Sequence, residues 1–310
     1  EDLKCDTFIN NNKVTKENYD YLCKKNSEIN LISNCNGVIS NYKKYDELFY
    51  SIKIVDEKDN EYEGHISSQL NYSEYKKNEL IKKIFSIATK YLPEKSNVLD
   101  FGSGPCDKTA VVALLGHNCI AYDDMQDEWH KESDNSRKIL EFSKKIGVQL
   151  INTLESSISS QDVVFDMIML NDVIEHLHES PKDILLSLLD LLKDDGVLFI
   201  TVPNAGNIKK RLSLLMGGTN LPSFESYYWY PGLWRGHIRE YVHNDLIELS
   251  NFLDLEVELI YGCDHMLENV PTWLLPLYKF VTRFFPKWKD SWVLVARKKP
   301  NWSPLLTQEN

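Results

Sequence analysis

A chain of 310 residues with 43% hydrophobic and 26% charged residues can build a sizeable core in one large or two small domains, which excludes a mostly disordered protein. The 35 Lys plus Arg against 46 Asp plus Glu leave a net charge of −11, a poor match for a phosphate backbone, so no nucleic-acid partner is expected. No apolar run approaches the roughly 20 residues that cross a bilayer, and no secretory signal opens the sequence.

Residues 1–70 are rich in Asn, Lys, Tyr and Glu, with a short strand pair expected near Leu48–Val55; a cap or a homodimerisation segment is the default reading. From Tyr72 to Tyr91 an apolar stripe of Leu80, Ile81, Ile84, Phe85, Ile87 and Ala88 predicts a helix, ended by Pro93. The period then changes. Strands are expected at Asn97–Phe101, Cys119–Tyr122, Val148–Ile151, Phe165–Leu170 and Val197–Val202, with helices at Thr109–Leu115 and Ser136–Ile146. A further helix should start at Ser180 with Pro181 in its first turn and Asp183 completing a capping box, and end before Gly196. Strands alternating with helices imply right-handed crossovers and a parallel sheet covered on both faces. An irregular aromatic insertion, 203–241, follows; then come a helix at Asn244–Phe252, a strand at Leu255–Tyr261, a second insertion at 262–289 and a strand at Ser291–Ala296. Residues 301–310 read as a tail.

Asp100-Phe101-Gly102-Ser103-Gly104 lies directly between a strand and a helix, where glycines let the backbone turn tightly and approach a ligand. Asp123 ends the next strand, where a carboxylate can accept both hydroxyls of a ribose. The third glycine of the dinucleotide fingerprint would fall on Asp107, and an acid there repels a pyrophosphate, so an adenosine compound without phosphates is expected instead of NAD or FAD. Cys5, Cys23, Cys35, Cys106, Cys119 and Cys263 form no C-x-x-C pair, which predicts reduced thiols and a cytoplasmic protein. Asp172 and Glu175 stand without a His/Asp cluster of defined spacing, so no metal site is read.

Two further segments carry a family likeness. They are Asn171-Asp172-Val173-Ile174-Glu175-His176-Leu177 after the fourth strand and Gly236-His237-Ile238-Arg239-Glu240-Tyr241 before a helix. With the glycine loop they resemble the class I S-adenosylmethionine-dependent methyltransferases, in particular the bacterial small-molecule group. The likeness covers Tyr72 to Lys298, within a methyltransferase domain at 71–300. It implies an α/β, Rossmann-like seven-stranded, mostly parallel sheet with helices on both faces and an antiparallel last strand. It also implies S-adenosylmethionine as cofactor and S-adenosylhomocysteine as product. Asp100, Gly102, Ser103 and Gly104 would line the methionine and ribose, Asp123 the ribose diol, Thr153 and Leu154 the adenine, and Asn171 the amino-acid end.

Methyl transfer to a hydroxyl needs a base, and His titrates in the useful range. His237 and His176 are the candidates, and a rate rising through an ordinary His titration is expected, whereas His178 reads as a surface residue. The insertion is expected to form a lid over a small ring-shaped, hydroxyl-bearing acceptor, neutral or anionic, hinged at Gly217-Gly218 and Pro231-Gly232. Trp229 or Trp234 would stack on the ring, Arg235 or Arg239 meet a charge, and Tyr241 join them. O-methylation of a sugar or sugar-nucleotide-like metabolite is the first reading; small-molecule N-methylation and a non-catalytic binding subunit are the alternatives. The basic amphipathic stretch around Trp273–Phe285 is expected to pack on the domain, with a membrane or an anionic partner as the other reading.

Overall fold

A computed structural model describes residues 79–131, 135–152, 164–264 and 271–307. The extension 1–70, the strand pair near 48–55 and the start of the first helix lie outside the described residues. Among the described residues seven strands run in the order β3-β2-β1-β4-β5-β7-β6, a mixed sheet whose last strands are antiparallel, and this is the expected Rossmann-like fold. The chain divides into two compact units, residues 1–162 and 163–310.

In the first unit, helix α1 (Glu79–Tyr91) buries Leu80, Ile84, Phe85, Ile87 and Ala88. Strand β1 (Asn97–Phe101) pairs in parallel with β2 (Asn118–Tyr122), which pairs in parallel with β3 (Gln149–Ile151). Val98 and Leu99 are fully buried on opposite faces of β1, as expected for a sheet covered on both sides. Helix α2 (Asp107–Leu114) buries Ala110, Val111 and Val112, the short helix α3 (Glu128–Lys131) follows β2, and α4 spans Asn135–Lys145.

In the second unit, β4 (Phe165–Asn171) pairs in parallel with β5 (Leu192–Pro203). Helix α5 (Pro181–Asp190) starts at Ser180, whose hydroxyl accepts the Lys182 N–H at 3.3 Å; the bond falls on the second residue of the helix, and no reciprocal box forms with Asp183. The helix also ends earlier than its pattern implies, and Gly196 lies inside β5. There the register jumps from Phe165↔Leu192 to Met167↔Val197, and a Cβ on Gly196 would sit 2.7 Å from the Leu192 side chain. Crowding at a bulge, rather than a helix end, explains that glycine.

The first insertion is more regular than its sequence implies. It contains α6 (Ile208–Leu215) and α7 (Phe224–Tyr228). Gly217, at φ +81°, and Gly218 donate to Leu214 O and Ser213 O, so the expected hinge is the C-terminal cap of α6. Helix α8 (His243–Phe252), strand β6 (Leu255–Cys263), helix α9 (Leu275–Phe284) and strand β7 (Ser291–Lys298) complete the unit. β7 runs antiparallel to both β5 and β6. On α9, Tyr278 and Thr282 are buried while Leu277, Phe280 and Phe284 are exposed.

Candidate active site

The glycine loop of the first unit is built by backbone geometry. Gly102 and Ser103 both donate to Tyr122 O, at 2.8 and 2.9 Å, extending the β1–β2 pairing into the loop. Gly102 (φ +74°), Gly104 (φ +53°) and Cys106 (φ +65°) then turn the chain through left-handed conformations into α2. Asp100 is buried at the root of this turn and accepts the Thr109 hydroxyl at 2.5 Å, tying β1 to α2. Ser103 is also buried. Asp123 closes the loop from the other side. Its Oδ2 accepts the Gly104 N–H at 2.8 Å and its Oδ1 the Met125 N–H at 2.9 Å. Burial raises its pKa above the ordinary carboxylate range, against those two amides and the buried His130, whose Nε2 lies 3.5 Å away. A Cβ built on Gly104 meets nothing within 4 Å, so the loop faces open space there. Thr153 and Leu154 lie outside the described residues.

In the second unit, Asn171 ends β4 in a buried position and Asp172 takes a left-handed turn (φ +57°), its carboxylate accepting from Thr201 Oγ1 at 3.3 Å. A single 3-10 turn, Ile174–His176, follows. The backbone carbonyl of Glu175 accepts the Ile238 and Arg239 N–H groups at 2.7 and 3.2 Å, so two distant segments meet. The far end of this strap, residues 235–241, is fixed by backbone bonds from Ala205 N to Tyr241 O and from Tyr241 N to Pro203 O, beside buried Asn204, which donates to Lys287 O and Lys289 O and accepts from Gly206 N.

This brings His176 and His237 together, with ring centroids 4.9 Å apart, edge to face. His176 Nδ1 lies 2.8 Å from Arg235 O, a carbonyl that can only accept, so that nitrogen carries the hydrogen and Nε2 the lone pair. His237 Nδ1 lies 2.8 Å from Glu240 Oε1, which sets the same tautomer. Glu240 is held in turn by Lys210. Burial, then the neighbouring His176 and Lys210, push the His237 pKa down to about 4, so its ring is neutral at pH 7 rather than titrating at an ordinary His value. Glu175 is fully buried, with Oε1 3.9 Å from His176 Nε2. Glu240 and Lys210 escape the sequence reading, although Glu240, three residues after His237, has the spacing of a partner.

The expected acceptor residues are placed differently from one another. Trp229 is 74% exposed and packs edge to face on Tyr228. Trp234 is held between Tyr227 and Tyr230 and donates to His237 O. Arg235 supplies the carbonyl behind His176; Arg239 pairs loosely with Asp245 at 3.6 Å. Tyr241 is buried, its hydroxyl donating to Ile174 O at 3.4 Å, which gives it a positioning part in the strap. His178 is at the surface, against Trp234 O.

A family model described as a methyltransferase domain matches residues 72–258. The chain belongs to this methyltransferase family. S-adenosylmethionine is its cofactor, and the residues fit it: the loop opens at Gly104, and Asp123 offers a carboxylate with spare lone pairs. No curated protein sequence matches the methyltransferase. Among solved structures it is similar to the Burkholderia thailandensis 1,6-didemethyltoxoflavin-N1-methyltransferase (16% identity, 75% of this chain and 84% of that one, TM-score 0.46). It is also similar to the PH0226 protein of Pyrococcus horikoshii (19%, 74% and 93%, TM-score 0.44) and to magnesium protoporphyrin IX methyltransferase of Synechocystis (14%, 72% and 83%, TM-score 0.42). Among the described residues no helix is long and apolar enough to cross a membrane.

Proposed function

We propose that the enzyme methylates a hydroxyl of a small polar acceptor, a sugar or sugar-nucleotide-like metabolite, in the cytoplasm. The observation that carries this reading is the pair of adjacent imidazoles whose Nδ1 atoms are both committed to fixed acceptors, which leaves an Nε2 lone pair on each ring. An amine acceptor arrives with a free lone pair once neutral, but a hydroxyl must lose a proton as it attacks, so this arrangement favours oxygen. Cytoplasmic residence agrees with Cys106 being a buried thiol.

S-adenosylmethionine supplies, when bound, a methyl group on a sulfonium sulfur that leaves as a neutral thioether. Asp100, Gly102, Ser103, Gly104 and Asp123 of the first unit hold and orient it. Alignment of the reacting groups is worth roughly 7–11 kcal/mol, so holding is most of the work. The His176–His237 pair handles the proton of the acceptor hydroxyl. Trp229 and its aromatic neighbours offer a face for a ring, and Arg239 a charge for an anionic group.

The test is S-adenosylhomocysteine release with panels of nucleotide sugars, sugar phosphates and small amines. Turnover with a hydroxyl acceptor, cut at least 100-fold by His237→Ala with cofactor affinity within threefold of wild type, supports the reading. Turnover with amines only refutes it.

A further inference from the structure

We propose that Glu175, His176 and His237 form a binding site for a first-row transition-metal dication, which receives the acceptor oxygen in the reaction proposed above. The cation binding stands on the geometry alone; only its use in catalysis rests on the O-methylation reading.

One ligand atom from each of the three residues lies within 4.8 Å of the other two. Donors bound at about 2.0–2.2 Å to one ion lie at most roughly 4 Å apart, so a side-chain adjustment of under about 1 Å closes the site. The donor set is two imidazole nitrogens and one carboxylate, which suits Zn²⁺, Co²⁺ or Mn²⁺ better than the all-oxygen preference of Mg²⁺ or Ca²⁺.

The second observation is independent of that spacing. A metal-ligating His almost always gives its other ring N–H to a carboxylate or a backbone carbonyl, which fixes both tautomer and ring plane. Both forms occur here: His176 Nδ1 on Arg235 O and His237 Nδ1 on Glu240 Oε1, each at 2.8 Å. Each Nε2 is thereby presented as a lone pair. Glu240 is itself anchored by Lys210, a layer beyond what a lone surface His–Glu pair needs. Glu175 is fully buried beside them and offers the one carboxylate of the set.

The chemistry balances without a free base. An acceptor hydroxyl on the cation loses its proton to solvent at a lower pH than in water, and the oxygen lone pair forms the C–O bond as the methyl–sulfur bond breaks. His176 and His237 then act as ligands, and they handle the acceptor's proton by holding the cation that makes its loss easier. The sequence conceals the site because His237 comes from the insertion, far along the chain from Glu175-His176.

The experiment uses the untagged full chain, stripped with chelator and titrated with Co²⁺, followed by visible absorption and calorimetry, with Zn²⁺ as competitor. One equivalent of Co²⁺ should bind with a d–d band that Zn²⁺ abolishes. His176→Ala and His237→Ala should each weaken binding at least 30-fold, and Glu240→Gln by 10- to 100-fold through the released imidazole. Both His residues are half-exposed, so these variants should keep the wild-type circular dichroism, and surface His178→Ala should bind as wild type. Absence of saturable Co²⁺, Zn²⁺ and Mn²⁺ binding by the wild type overturns the site, as does unchanged binding by His237→Ala. If Co²⁺ binds as described while only amines are methylated, the O-methylation reading fails and the metal site stands. If chelator-stripped enzyme methylates hydroxyls at the full rate, the cation's part in catalysis falls.

Discussion

Asp123 has two amides on its carboxylate, from Gly104 and Met125, and each oxygen keeps a second lone pair. It can therefore order the glycine loop and accept a ribose diol together. Asp123→Ala should weaken S-adenosylhomocysteine binding by about 10- to 150-fold, the equivalent of roughly 1.5–3 kcal/mol for a hydrogen bond to a charged group, read by calorimetry. Unchanged affinity removes Asp123 from the cofactor site. The ionised form is the acceptor, and burial raises its pKa, so affinity should fall with decreasing pH, starting above the range of an exposed carboxylate. Asp123→Asn should lack that pH dependence. Gly104→Val should leave a folded protein that no longer binds the cofactor. The φ of +53° costs a branched residue roughly 1–2 kcal/mol, and the added carbons enter the open space of the loop.

At the scale of elements, the insertion after β5 joins two small helices to a strap that ends at Tyr241. The two tryptophans within it differ in what surrounds them, and their variants should differ too. Trp229, exposed on the end of α7, should raise the acceptor KM several-fold on substitution by Ala, with cofactor affinity and melting temperature nearly unchanged. Trp234 is packed edge to face on two tyrosines and bonded to His237 O, so Trp234→Ala should lower kcat as well, by loosening the segment that carries His237. Equal effects on KM alone would mean that both only contact the acceptor. The composition of this insertion shows that aromatic residues matter there, but not which of them are committed to packing.

At the scale of the molecule, residues 301–307, read from sequence as part of a tail, are built into the second unit. Trp302 Nε1 donates to Leu253 O at 2.6 Å and its ring lies under Lys298 Nζ at 4.5 Å. Ser303 N donates to Asp254 Oδ2, and Leu305 N to Phe252 O, pinning the turn between α8 and β6. Asp254 holds that turn at φ +52°, and the Ser303 amide and Lys299 keep its carboxyl below the usual range. Trp302→Ala should destabilise the protein by about 1–3 kcal/mol in urea unfolding, less than a fully buried tryptophan because the ring is half-exposed. No change in the midpoint would return this segment to the status of a tail.

The sequence by itself determined the alternation of strands and helices, the glycine loop and Asp123, because each depends on local signals: period, turn chemistry and a fixed offset along the chain. It also singled out both histidines. What it could not determine was any relation set by long-range contact. Gly196 reads as a helix stop because its true constraint, the Leu192 side chain, exists only once β5 bulges against β4. Trp302 reads as a loose end because its acceptor, Leu253 O, belongs to a distant helix end. The meeting of Glu175, His176 and His237 was decided by tertiary structure alone. Two backbone amides on the Glu175 carbonyl and the backbone pairing of Pro203 and Ala205 with Tyr241 fold the strap back, and no spacing along the chain encodes that closure.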